Sequence, residues 1–266
     1  MTAARVVIVG GGNMGAALLG GIIAAGWARP DEMAVVEVVA ARRDDLAVQY
    51  PGVHVTADVP AAAGAVVAVK PHDVPAAVTA AVAAGARRVL SVAAGVSIAS
   101  LEAAAAAATS DRVAVVRAMP NTPALVGPGA AAIAAGAGAG EDDLAWAEGI
   151  LAAVGTVVRV PEHHLDAVTG LAGSGPAYLF LVAESLIEAG VLAGLSRPVA
   201  EALVTQLFVG SAALLAEHGD EPAIRAMVTS PGGTTAAGLR QLEHHGVRAA
   251  FLEAVMAATQ RSRELG

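Results

Sequence analysis

The chain has no cysteine. That excludes disulfides, thiolate catalysis and cysteine-ligated metal, and it fits a reducing compartment. Aromatic side chains are nearly as scarce, at 3% of a chain that is 56% hydrophobic. The core must therefore be close-packed Ala, Val and Leu. Positive charge is thin as well, with 16 basic residues against 24 acidic and a formal charge of −8. This balance argues against nucleic acid or an anionic membrane surface as the main partner. Long uncharged runs are missing too. Residues 202–216 carry no charge but are too few for a span, and 168–183 are interrupted by Gly170, Gly173, Ser174, Gly175 and Pro176. The opening Met-Thr-Ala-Ala-Arg leads straight into an apolar strand, which is not the pattern of a secretory signal. The expectation is a soluble, cytoplasmic protein of 266 residues, enough for one large domain or two ordinary ones.

What the chain does have is glycine at telling positions. The apolar strand 5–9 runs directly into Gly10-Gly-Gly-Asn-Met-Gly15, and a helical pattern follows over 16–25. This is G-x-G-x-x-G in the context that gives it meaning, a strand before and a helix after. Gly10 makes the turn, Gly12 lets a pyrophosphate approach the backbone, and Gly15 lets the helix pack on the strand. A second strand is predicted over 33–39. Its Glu37 stands about twenty residues beyond the last glycine, where an acid would bind the ribose hydroxyls of NADH. Arg42 and Arg43 follow and suit the 2′-phosphate of NADPH instead, so this pattern leaves the two cofactors open.

The strand-helix alternation continues, with strands over 65–69, 88–92, 113–117, 130–135 and 156–160 and helices over 74–84, 101–109 and 142–154. Such a repeat predicts an α/β fold, a Rossmann-type doubly wound sheet with a mainly parallel core. Ligands in such sheets bind beyond the carboxyl ends of the strands. There lie Val69-Lys70-Pro71, Ala93-Ala94 and Asn121. Lys70 is the only lysine among 16 basic residues. A compact ammonium with rotatable donors suits a cofactor contact or the capping of backbone carbonyls equally.

After residue 161 the strand pattern stops. The expected division is a dinucleotide-binding domain over 1–161 and an all-α domain over 162–266. Helices are predicted over 165–169, 176–190, 198–217, 222–227, 236–243 and 247–263, the last ending in an exposed charged tail. The second and third are apolar nearly all round, so they must be buried nearly all round. A helical half of this size cannot bury both alone, which predicts interlocking with a second subunit.

Between two of the later helices lies Ser230-Pro-Gly-Gly-Thr-Thr235. Pro231 fixes φ, Gly232 and Gly233 permit a tight turn, and Ser230 reads as the helix-entry residue. The N–H groups of Gly233, Thr234 and Thr235 would then be unpaired, a seat for a small carboxylate or phosphate. The paired histidines at 163–164 and 244–245 have no acid at a metal-ligand spacing, so no metal site is expected.

Together these segments resemble the pyrroline-5-carboxylate reductase family over essentially the whole chain. The resemblance rests on Gly10–Gly15, residues 68–72, 91–96, 117–123 and 173–178, and above all 222–243. It implies an N-terminal Rossmann domain and a helical dimerisation domain, assembled as a homodimer or as a decamer of dimers. It also implies hydride transfer from NADPH or NADH to the C=N bond of pyrroline-5-carboxylate, giving proline. Ser230, Gly232, Gly233, Thr234 and Thr235 would bind substrate, the Thr235 hydroxyl donating to the ring nitrogen. Gly10, Gly12, Asn13, Met14, Gly15, Val69, Lys70, Pro71, Ala93, Ala94 and Asn121 would hold the cofactor. Position 38 is valine where relatives often carry a basic or polar residue. The alternatives are a reductase of another cyclic imine carboxylate, or a nucleotide-binding regulatory protein without catalysis.

Overall fold

In the computed structural model, which describes residues 3–265, Val6, Val7, Ile8 and Val9 are all buried. Strand β1 (Ala4–Val9) is thus covered on both faces, as a central parallel strand must be. It pairs in parallel with β2 (Met33–Val36) on one side and β4 (Ala62–Val67) on the other. Beyond β2 lies β3 (His54–Thr56), and beyond β4 come β5 (Arg88–Ser91), β6 (Ala114–Pro120), β7 (Gly129–Ala135) and β8 (Gly155–Arg159). The chain therefore steps outward from β1 in one direction, then returns to its other side. That reversal between β1 and β4 is where a doubly wound sheet opens its ligand crevice.

Every neighbouring pair is parallel except β6 and β7. Only a 3₁₀ turn, Thr122–Val126, separates those two strands. A connection so short cannot make the crossover a parallel pair requires, so the chain doubles back. The sequence shows no sign of β3, which has three residues and no apolar alternation. Helix α1 (Asn13–Ala24) buries Leu18, Leu19 and Ile22 against the sheet, and α2 (Ala40–Gln49) buries Leu46. Helices α3 (Val74–Ala83), α4 (Ile98–Ala106) and α5 (Glu141–Leu151) complete the layers.

Compactness divides the chain into residues 1–174 with 257–266, and residues 175–256. The first unit thus continues past the last strand through α6 (Leu165–Val168) and a π-helical turn, Thr169–Gly173. The glycines of this segment do not break the helix as the sequence suggested. The backbone instead widens, with Ser174 N–H donating to Thr169 O at 2.8 Å, and helical structure runs from Glu162 to Leu192. The charged end of α11 (Val247–Leu265) is exposed at Arg261, Arg263 and Glu264, as the sequence suggested, but its other face is held. Thr259 and Ser262 are buried, and the Ser262 hydroxyl donates to the Asp166 carboxylate at 2.7 Å.

The second unit contains α7 (Gly175–Leu192), α8 (Arg197–His218), α9 (Glu221–Met227) and α10 (Thr234–His244). Gly190 lets α7 approach α8, since a Cβ there would stand 3.2 Å from the Ala200 methyl. Yet no residue of α7 is buried, and α8 buries only Ala200 and Val204. The runs Glu162–Leu192 and Arg197–His218 are long and apolar enough to cross a membrane, where the sequence had suggested runs too short or too broken. The helical state supplies the length, because it carries the apolar stretch through residues that look like breakers.

Candidate functional site

The carboxyl ends of five strands surround a cavity of about 600 Å³ in the first unit. Its lining comes from the ends of β1 (Val9, Gly10), β2 (Val36, Glu37, Val38), β4 (Ala68, Val69, Lys70), β5 (Val92, Ala93, Ala94) and β6 (Met119, Pro120). Gly12, Asn13 and Met14 at the start of α1 close one side.

The three motif glycines do three different jobs. Gly10 has φ +110°, and a Cβ there would stand 2.6 Å from the Ala68 carbonyl. A Cβ on Gly15 would run into the Gly10 carbonyl oxygen, so this position packs helix on turn without lining the cavity. Gly12 is extended, with φ −68°, and a Cβ there would meet nothing within 4 Å. Its lost side chain is therefore not needed by the fold; it leaves room in the cavity. No side chain caps α1, and no acid stands in its first turn. The helix start thus offers N–H groups and positive potential to an anion. These features fit a dinucleotide pyrophosphate.

Lys70 lies at this rim, and among the described residues its ammonium has no ion pair or hydrogen bond, so the carbonyl-capping alternative is absent here. Asn121 behaves otherwise than expected. Its Nδ2 donates to Ala172 O at 3.1 Å and its Oδ1 accepts from Ala130 N–H at 2.9 Å, and it does not line the cavity. The π turn offers a carbonyl to Asn121, which pins β6 to that turn.

The end of β2 is braced by side chains. Glu37 Oε2 accepts from Gly11 N–H at 3.2 Å, and Oε1 from Val39 N–H at 2.9 Å. Arg42 Nε donates to Gly11 O at 2.9 Å, while Arg43 donates to the carbonyls of Glu37 and Val38 at 2.8 and 2.9 Å. Tyr50 supports α1 from below by donating to Ala16 O at 2.8 Å. Burial raises the Tyr50 phenol above its ordinary pKa, against a smaller opposite pull from Arg42. Glu162 was not anticipated. Its Oε1 accepts from Ile98 N–H at 2.7 Å and pairs with Arg117 at 3.0 Å, fixing the start of α4 and thus the loop that carries Ala93 and Ala94. No sequence pattern joins positions 98, 117 and 162.

In the second unit, Ser230-Pro231-Gly232-Gly233 forms a turn with the character of type II, proline first and Gly232 at φ +70°. The turn closes by Gly233 N–H donating to Ser230 O at 3.0 Å. Gly233 N–H is therefore not free, contrary to the sequence reading, and Ser230 opens the turn without capping the helix. The helix cap is Gly233, whose carbonyl accepts from Ala237 N–H at 3.1 Å. Because glycine has no capping side chain, Thr234 and Thr235 present the first N–H groups of α10 together with their hydroxyls. No acid stands in this first turn.

Comparison with known proteins joins the two halves. Residues 162–265 match the family of pyrroline-5-carboxylate reductase dimerisation domains, and residues 5–95 match that of coenzyme F420-dependent NADP oxidoreductases. A pyrroline-5-carboxylate reductase of Synechocystis is 47% identical over 97% of both chains. The chain belongs to the pyrroline-5-carboxylate reductase family. Among solved structures, the reductase of Coxiella burnetii superposes with a TM-score of 0.91 at 34% identity, over 100% of this chain and 99% of that one. The Plasmodium falciparum enzyme, solved with NADP bound, reaches 0.82 at 28% identity, over 100% and 99%. The chain is accordingly an NAD(P)H-dependent oxidoreductase with a Rossmann-type half and a helical dimerisation half. A dimerisation domain also explains why α7 and α8 stay uncovered within one chain.

Proposed function

We propose that this chain catalyses the last step of proline biosynthesis, reduction of the C=N bond of 1-pyrroline-5-carboxylate to give L-proline. The fold alone would suit many reductases. The observation that carries the reading is the start of α10, where Thr234 and Thr235 offer N–H groups and hydroxyls with no acid in the turn. A small carboxylate sits there as anions sit at helix starts. Ser230, Gly232 and Gly233 shape that seat. The Thr235 hydroxyl donates to the ring nitrogen as hydride transfer turns it into an amine with a free electron pair.

Bound NAD(P)H supplies the hydride. Gly10, Gly12, Asn13 and Met14 take its pyrophosphate, and Gly15 keeps α1 close enough for them to do so. Val69, Lys70, Pro71, Ala93 and Ala94 line the remainder. Asn121 acts indirectly, by fixing β6. A protonated imine is already an electrophile, so orientation and electrostatics supply most of the catalysis and no acid–base dyad is required.

The working division is a dinucleotide-binding domain over 1–161 and a substrate-binding and dimerisation domain over 162–266. The assembly is a homodimer, or a decamer built from dimers, with α7 and α8 covered by the partner and not by lipid. The excess of acid over base argues against nucleic-acid or anionic-membrane partners, and the absence of cysteine fits a reducing, cytoplasmic compartment. The test is oxidation of NADH and NADPH with pyrroline-5-carboxylate, the product identified as proline. Turnover is expected; cofactor binding without turnover on this substrate would overturn the assignment.

A further inference from the structure

We infer that this enzyme prefers NADH to NADPH, and that the Glu37 carboxylate sets the preference. The inference rests on the reading of the Gly10–Gly15 cavity as a dinucleotide site. The two cofactors differ by a phosphate on the adenosine ribose, which adds about two negative charges. In a Rossmann site that ribose lies past the end of the second strand. Here Val36, Glu37 and Val38 form that part of the lining, and Glu37 carries its only charge.

Glu37 is not a mobile surface acid. Gly11 N–H holds one carboxylate oxygen at 3.2 Å and Val39 N–H holds the other at 2.9 Å. A carboxylate fixed this way accepts a hydrogen bond from a ribose hydroxyl. Toward a phosphate it offers no donor and repels. Neither Arg42 nor Arg43 lines the cavity; Arg42 is held through Nε on Gly11 O and Arg43 through one terminal nitrogen on the carbonyls of Glu37 and Val38. Lys70, which does line the cavity, follows β4, on the far side of β1 from β2. Val38 is 82% exposed and offers the phosphate no polar partner.

Equilibrium titration of the purified enzyme with each cofactor, without substrate, reads the preference directly. NADH is expected to bind more tightly by about tenfold or more, the scale that opposed like charges impose on binding. Glu37→Gln should narrow that ratio, and a change in the ratio is something a merely structural role would not produce. Val38→Arg places a cation at an exposed position and should shift the ratio toward NADPH even if Glu37→Gln folds poorly. Equal or tighter binding of NADPH by the unmodified enzyme would overturn the inference. So would an unchanged ratio in both variants. Failure of the unmodified enzyme to bind either cofactor would overturn the reading of the cavity itself, and this inference with it.

Discussion

Gly12 and Gly15 show how one motif holds two kinds of glycine. Gly12→Val adds atoms only to open space, at a backbone conformation any residue adopts. Its melting temperature should match the parent's while dinucleotide binding is lost in calorimetric titration. Gly15→Val drives a side chain into the Gly10 carbonyl, and overpacking of this kind costs about 1–3 kcal/mol or more. It should lower the melting temperature before any cofactor is added. Thr235 belongs at the same scale. Thr235→Val should cut kcat roughly a hundredfold, the scale of losing one donor aimed at an electron pair that forms in the transition state, and leave cofactor affinity unchanged. Thr235→Ser should restore most of the rate. Equal small effects in Gly12→Val and Thr235→Val would refute the site assignment.

At the scale of elements, the placement of α1 matters most, because its first turn forms part of the cavity. Tyr50 ties α1 to the end of α2 through Ala16 O, and burial raises its pKa. A raised pKa in the folded state favours the protonated phenol. The resulting stability is complete below the unfolded pKa and is lost as pH rises through the folded one. Tyr50→Phe should cost about 1 kcal/mol at neutral pH, the net worth of one hydrogen bond. Thermal denaturation followed from about pH 8 to 11 should show the parent losing this advantage over the variant. A gap that stays constant or widens with pH would contradict the account. The loop before α4 is held from another direction, by Glu162 and Arg117, and the end of β6 by Asn121. These braces come from distant parts of the chain, which is why no local pattern announced them.

For the molecule as a whole, the decisive feature is apolar surface that one chain does not cover. Leu179, Phe180, Leu181, Leu203, Leu207 and Val209 are all more than half exposed. Each leucine buried by a partner contributes about 1.5–3 kcal/mol, so a few such contacts suffice for a stable dimer. Leu207→Glu should leave the isolated chain folded, because the residue is already exposed, and shift the sedimenting mass toward that of one chain. A mass unchanged at low micromolar concentration would place the dimer contact elsewhere.

The strand-helix alternation, the glycine turn and the apolar helices are local patterns, and they made the Rossmann half and the helical half legible before any coordinates. Gly10, Gly12 and the strand-end residues Lys70, Pro71, Ala93 and Ala94 could be singled out because such sheets open at their carboxyl edge, while Asn13, Met14 and Val69 came with the family resemblance. Tertiary structure alone decided which polar groups remain free. Asn121 turned out to be engaged by a carbonyl fifty-one residues away, Gly233 by the turn it closes, and Arg42 and Arg43 by the loop they brace. The buried contacts of Thr259 and Ser262 likewise depend on α11 returning to the first unit. Backbone pattern repeats along the chain and can be read from it. A hydrogen bond has one partner, and that partner is chosen only when the chain has folded.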